Sequence, residues 1–388
     1  MRTNRRAGRL ARACLTGLAL GPLLIGSLPP RSYEQDLQVD YLMAKALLEG
    51  RDVYAPLTEL SSRYFPIATH NFPHPSPHPP VLAALAVPLT VLPYWFLPPI
   101  WLASNIALLL LVGRRLGLGH EQSLMLLAWP PLWCVLYIGQ LEVAVLALAV
   151  AAWKSSDSGN DLRAGICLGL AGALKLYPLL FLVPYALGRR LKVLCAAGVV
   201  FASIQIANLA LVGAADLRRY YFEILPAVTS LYAAQGLNGA PYGMLLRLFG
   251  GASDVSPILH LPDVVLPLTV VFSAFAVVAL LTLRPVAAPL ATLVALPTAW
   301  YYSVVLGLPQ IIHLIRSRLR APAMLAAALA SVVLPAVNLF IAWATASMPA
   351  QGGMTVLPAI LLALQPVGVL WLLVLSLIEA RSRVSRRA

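Results

Sequence analysis

The sequence predicts an all-α, polytopic transmembrane helical protein of about twelve spans, forming one integral membrane domain over residues 1–388. Three observations carry that expectation. Hydrophobic residues make up 60% of the chain and charged ones 11%, so apolar runs recur well beyond what a soluble core needs. The basic residues fall in short clusters at the ends of those runs. The acidic residues instead gather in one polar interval, 33–80, which holds six of the fifteen (Glu34, Asp36, Asp40, Glu49, Asp52, Glu59) and three of the six histidines.

A formal charge of +13 would point to nucleic acid in a soluble chain. Clustering at segment ends is instead a topology signal, so no nucleic-acid partner is expected. Cys14, Cys134, Cys167 and Cys195 all lie in apolar segments without a spacing suited to zinc or to disulfides, and are expected to be inert buried thiols.

The N-terminal MRTNRRAGRLAR carries five arginines before the apolar run 13–28, which places this end in the cytoplasm. A signal peptide would look similar, but Pro29-Pro30 stands where cleavage would be expected. The run is read as an uncleaved first span that delivers an outer loop, 29–80. Within the loop, the spacing of Leu37, Tyr41, Ala44 and Leu48 predicts a helix over 36–49 lying along the membrane surface, ended by Gly50. Asp36 and Asp40 then share a face, with Asp36 in the first turn, where the helix dipole favours its charge. A capped, solvated helix and a pair of working carboxylates both fit that pattern.

The following NFPHPSPHPP is too proline-rich for a helix and reads as a stiff extended connector. His70, His74 and His78 recur every four residues, whereas polyproline geometry repeats every three, so no shared metal-binding face results. Residues 81–93 are apolar but too short to cross a bilayer upright, and are placed in the outer leaflet. Spans then follow at 97–113, 123–137, 142–153, 164–174, 177–187, 193–212, 265–283, 287–300, 302–315, 324–347 and 356–378. With both termini inside, every cytoplasmic turn carries positive charge: Arg114-Arg115, 154–163, 189–192, Arg284, 316–320 and the tail RSRVSRR. A second outer loop covers 214–263. No internal repeat at a fixed period is evident, which disfavours an inverted-repeat transporter.

Polar groups at membrane depth are functional candidates by default. Lys175, in GALKLYP, either snorkels to the interface or meets a lipid phosphate. Gln140 and Glu142, in YIGQLEV, start a span where an acid can also serve as a cap. Arg218 and Arg219 beside Tyr220 and Tyr221 offer phosphate-binding charge next to aromatic rings, as does an ordinary interfacial anchor. Trp300 and Tyr301 read the same way, and the local pattern assigns no role to Asn238 or Arg247.

Taken in order, these stretches resemble a known family. Asp36-Leu37-Gln38-Val39-Asp40-Tyr41, then Gly50 to Tyr54, then His78-Pro79-Pro80 follow a first span; GQLEV, GLAGALKLYPLLFL, GLNGAPYGMLLRLFG and LPTAWYYSVVLGLPQ come later. The series is similar to the GT-C superfamily of membrane glycosyltransferases, and within it to the family 87 polyprenol-phosphate-mannose-dependent α-mannosyltransferases. Glu142 stands where that family has asparagine, Gly239-Ala240 where it has Gln-Ser, and Tyr301-Tyr302 where it often has histidines. The resemblance implies a GT-C-like fold with interfacial helices in the first outer loop. It also implies an inverting transfer of a sugar, mannose by the family, from a polyprenyl-phosphate carrier to a cell-envelope glycan or glycolipid on the outer face of the cell membrane. Asp36 would be the base, with Asp40 second. Lys175, Arg218, Arg219 and His78 would meet the donor phosphate, and Gln140, Glu142, Tyr177, Asn238, Trp300 and Tyr301 would line the substrates. No metal or other cofactor is expected. An arabinofuranosyl donor on a decaprenyl carrier and a lipid-linked sugar flippase centred on Lys175 and Glu142 remain as alternatives.

Overall fold

The computed structural model describes residues 2–66, 73–252, 255–332 and 356–384. It is helical, with no strand among the described residues. The chain divides into two compact units, Met1–Ala147 with Ile204–Leu225, and Leu148–Ser203 with Pro226–Ala388.

The first unit opens with the helix Arg2–Gly26. The expected loop helix is present as Leu37–Leu48, and Gly50 ends it in the left-handed region, at φ +62°, where glycine carries no Cβ penalty. Its surroundings differ from a one-sided stripe on a surface. Eight of its twelve residues are buried in protein, including Gln38, Val39 and Ala46 outside the expected stripe, while Leu48 of that stripe is exposed. The reason is an aromatic cluster. Tyr33, Tyr41, Phe65 and Tyr94 meet at centroid distances of 4.8–6.0 Å and cover one flank. Tyr41 Oη and Lys45 Nζ also donate to the Leu92 and Thr90 carbonyls. The helix Leu97–Arg115 starts on Pro98 and Pro99 and ends on Arg114 and Arg115, the order that helix termini favour.

A returning segment completes this unit. The helical run Leu191–Arg219 is broken at Gly213, where φ 79° and ψ 169° depart from helical values. Tyr221 Oη then reaches back to Gln205 Oε1 at 2.8 Å, a contact that a straight helix would forbid at that separation. The two arms therefore fold against each other.

In the second unit, the helix Asp161–Leu174 carries Gly165 and Gly169 where a Cβ would collide with the Val193 and Ala197 carbonyls. These glycines set a close helix crossing of the kind that small residues allow in membranes. Val265–Thr282, Ala288–Ala295 and Leu308–Ile315 follow, and Val356–Val384 closes the described chain.

Among the described residues, four helical runs are long and apolar enough to cross a membrane (94–115, 191–231, 262–282, 357–382), or five if the bent pair Pro130–Ile138 and Glu142–Asp157 counts as one. Several other expected spans are shorter apolar pieces, such as Tyr177–Leu187, Pro285–Ala295 and Tyr301–Ile315. Proline explains the shortening: Pro178, Pro184, Pro285, Pro289 and Pro309 each begin a new turn, several of them 3₁₀. The expected span 324–347 is seen only in the helix Arg320–Leu329, and its later part, like His70, lies outside the described residues. Two cysteines depart from expectation: Cys134 and Cys167 are buried, but Cys14 and Cys195 are exposed, Cys14 at the start of the short apolar stretch Cys14–Gly26 and Cys195 on the long run Leu191–Arg219.

Candidate active site

Asp36 sits immediately before the helix Leu37–Leu48. Its own N–H donates to the Ile138 carbonyl at 2.8 Å, and its carboxylate accepts a short hydrogen bond from Gln140 Nε2. The sequence YIGQ builds this contact. Pro130–Ile138 ends at Gly139 in the left-handed region, φ 76°, and Gln140 N–H returns to the Val135 carbonyl. A Cβ at Gly139 would stand 2.9 Å from Leu37 Cβ, so glycine is what lets the turn approach the helix start. Gln35 fixes the other side, donating to the Gly26 and Tyr137 carbonyls. Glu142, two residues beyond, is fully buried in the first turn of the next helix.

Asp40 lies one turn further along the same helix. Its Oδ1 is 2.7 Å from His78 Nδ1, and both side chains are mostly buried. His78 is held at its backbone too: its N–H donates to Ser76 Oγ, and its carbonyl accepts from Tyr54 Oη. Tyr54 is itself buried and stacks on Tyr220 at 5.5 Å, while Tyr220 Oη donates to the Pro77 carbonyl. Burial, with Tyr220, Tyr221 and nearby carboxylates adding to it, raises the Tyr54 phenol well above its ordinary value, so it remains a donor.

Arg219 is engaged in this frame. Nη1 pairs with Asp52 Oδ2 at 2.8 Å, Nη2 reaches the Tyr54 carbonyl, and Asp52 Oδ1 accepts from Tyr54 N–H. Arg218 beside it is exposed. The first unit thus brings together Asp36 with Gln140, and Asp40 with His78, on a scaffold of Tyr54, Tyr220, Arg219 and Asp52. Ser76 was not singled out by the sequence, and Asp52, Tyr54 and Gly139 stood only inside wider patterns, the acidic interval, Gly50 to Tyr54 and GQLEV, with no role of their own.

The remaining candidates lie in the second unit. Lys175 follows the helix Asp161–Leu174 in extended conformation, and Tyr177 packs edge-on to Phe181. Asn238 is fully buried and saturated: Nδ2 donates to the Ala233 and Pro297 carbonyls, and Oδ1 accepts from the Ala240 and Ala299 amides. Tyr301 is fully buried, with its carbonyl accepting from Gln365 Nε2. Trp300 is partly exposed, between the rings of Tyr232 and Tyr302. Asn238 therefore pins two backbone stretches together and has no capacity left for a ligand. Among the described residues no three His, Cys, Asp or Glu side chains converge as metal ligands would.

Residues 77–309 match the family described as glycosyltransferase family 87. The chain belongs to that family. His78, Gln140, Glu142, Lys175, Tyr177, Arg218, Arg219, Asn238, Trp300 and Tyr301 fall within the family 87 match, and Asp36 and Asp40 precede it. A polyprenol-phosphate-mannose-dependent alpha-(1-2)-phosphatidylinositol pentamannoside mannosyltransferase of Mycolicibacterium smegmatis is 31% identical over 204 residues, covering 49% of this chain and 48% of the relative. The alignment thus spans about half the length of each protein. No solved structure matches the chain.

Proposed function

We propose that this family 87 protein is an inverting glycosyltransferase that moves mannose from a polyprenyl-phosphate carrier to a cell-envelope glycan or glycolipid. The reading places it in the cell membrane as one domain of about twelve spans and re-entrant segments, with both termini cytoplasmic and the 29–80 loop on the outer face. The family match, and the donor named in the mycobacterial relative's description, support the reaction class.

The observation that carries the residue assignment is the Asp36 carboxylate, held by Gln140 at the start of a helix that is mostly buried in protein. The acceptor hydroxyl loses its proton to Asp36 as its oxygen attacks the anomeric carbon. The bond from that carbon to the phosphate oxygen breaks on the opposite side, and polyprenyl phosphate leaves with the electron pair. Negative charge then grows on the phosphate and calls for fixed donors. His78 is suited to this: Asp40 Oδ1 holds Nδ1 at 2.7 Å, which leaves Nε2 for a phosphate oxygen. Arg218, next in sequence to the paired Arg219, is an exposed cation, and Lys175 is the corresponding candidate in the second unit.

The test is transfer from labelled mannosyl-phosphoryl-polyprenol in membranes at matched expression. Asp36→Asn should lower the rate about 10²–10⁴-fold, the usual contribution of a positioned general base. Unchanged transfer by Asp36→Asn with loss in Asp40→Asn would move the base to Asp40. A wild-type protein that moves arabinofuranose and not mannose would replace the sugar, and one that translocates the lipid without transfer would remove the enzyme reading.

A further inference from the structure

Among the described residues Arg247 is the largest fully buried side chain, at 1% exposure. It lies in the π-helical turn Leu246–Gly250, which continues the short helix Pro241–Leu245 and packs in an apolar cluster of Met244, Leu245, Val265 and Phe249. One nitrogen of its guanidinium is bonded: Nη1 donates to the Gln235 carbonyl at 2.8 Å. The other two, Nε and Nη2, are buried without a hydrogen-bond partner among the described residues.

Among the described residues Arg247 has no counter-ion, and a buried unpaired cation is one of the costlier arrangements a fold can keep. Desolvation lowers the Arg247 pKa to about 10, which still leaves it charged at neutral pH. The two unbonded nitrogens are adjacent, and together they form the edge of the guanidinium that grips two oxygens of one oxyanion. The bond from Nη1 to Gln235 fixes the plane of that edge before any ligand arrives. The position is also set in a widened turn, closed by Gly251 at φ 72°, and π-helical turns of this kind recur at functional sites.

We infer that Arg247 is an anion receptor that binds a phosphate oxyanion of a lipid through Nε and Nη2. The choice of a lipid-linked phosphate rests on the proposed reaction, whose donor and product both carry one. The same chemistry is offered by an anionic membrane lipid, so the experiment separates the two sources. The binding site belongs to the second unit alone and does not depend on which carboxylate is the base.

The purified full chain is followed by thermal unfolding with farnesyl phosphate, farnesol, inorganic phosphate or phosphatidylglycerol. Farnesyl phosphate should raise the unfolding temperature of the wild type and farnesol should not. Arg247→Met should weaken farnesyl phosphate binding by at least about thirtyfold, the scale expected for truncating one partner of a buried charge pair. Arg247→Lys, which keeps the charge but loses the fork, should fall between. Without ligand, Arg247→Met should unfold no lower than wild type, since it removes an unpaired buried charge. An Arg247-dependent response to phosphatidylglycerol but not to farnesyl phosphate would assign the phosphate to a resident membrane lipid. Equal farnesyl phosphate binding by wild type, Arg247→Lys and Arg247→Met would overturn the inference, and Arg247→Lys alone carries this test if Arg247→Met does not fold. Asp36→Asn should bind farnesyl phosphate as wild type does, so failure of the base assignment and failure of the anion site are separable.

Discussion

Asn238→Ala tests whether a polar residue in an apolar setting serves the fold or a ligand. The asparagine makes four hydrogen bonds at 2.7–3.1 Å, to the carbonyls of Ala233 and Pro297 and from the amides of Ala240 and Ala299. Alanine leaves those four backbone groups without their partner in a region where Ala233, Ala240 and Ala299 are themselves buried. Each unsatisfied buried group costs about 1–3 kcal/mol, although local relaxation recovers part of it. A net loss of about 3–5 kcal/mol follows, at the high end for a single substitution. At about 2–4 °C per kcal/mol for domains of 150–250 residues, the unfolding temperature should fall by roughly 10 °C. Fluorescence-detected unfolding in detergent measures the shift, and sugar transfer below both midpoints measures KM for the folded fraction. A fall in stability with KM retained agrees with the hydrogen bonds. An unfolding temperature within about 1 °C of wild type together with a KM raised about tenfold would make Asn238 a ligand contact and refute the argument.

Gly139→Ala forces a side chain into the left-handed region, about 1–2 kcal/mol, and drives its Cβ against Leu37, so both stability and transfer rate should drop as Gln140 shifts from Asp36. If Arg219 serves to strap the loop through Asp52 and not to bind phosphate, Arg219→Met and Asp52→Asn should have the same small effect, about 0.2–1 kcal/mol by denaturation, with no change in donor KM. Burial lowers the pKa of His74 below its usual 6.5, with the hydrogen bond to the Pro75 carbonyl opposing it in part. The unfolded chain therefore binds the proton more readily, and stability should decline as pH falls from about 6.5 through the folded pKa. His74→Gln should flatten that decline in unfolding temperatures measured from pH 8 to 5.

Local pattern was enough for some elements and not for others. The helix Leu37–Leu48 and its glycine stop were legible because 3.6-residue spacing and a positive-φ residue are properties of neighbouring positions. The number of full spans was not, because prolines in segments such as 177–187 and 285–295 leave hydropathy high while shortening the helix. The Asp36–Gln140 and Asp40–His78 contacts join residues 104 and 38 positions apart, and no spacing rule reaches that far. The same limit hid the Arg219–Asp52 pair, whose members lie 167 residues apart. Asn238 had no role from local pattern and was read as a substrate residue through the family resemblance alone; its bonds reach as far as Ala299, 61 positions away.

The reversal at Gly213 bears on how the chain enters the bilayer during synthesis. The amide of Gln205, on the first arm, gains its cross-arm partner Tyr221 only when the second arm has emerged. Asn208, fully buried, donates to the same Gln205 oxygen, so that oxygen accepts from both arms. A lone first arm would present those amides to hydrocarbon, where unsatisfied polar groups are expensive. Gly213 is therefore expected to bear on biogenesis as well as on the finished fold, because the first arm gains this contact only once the second has been made.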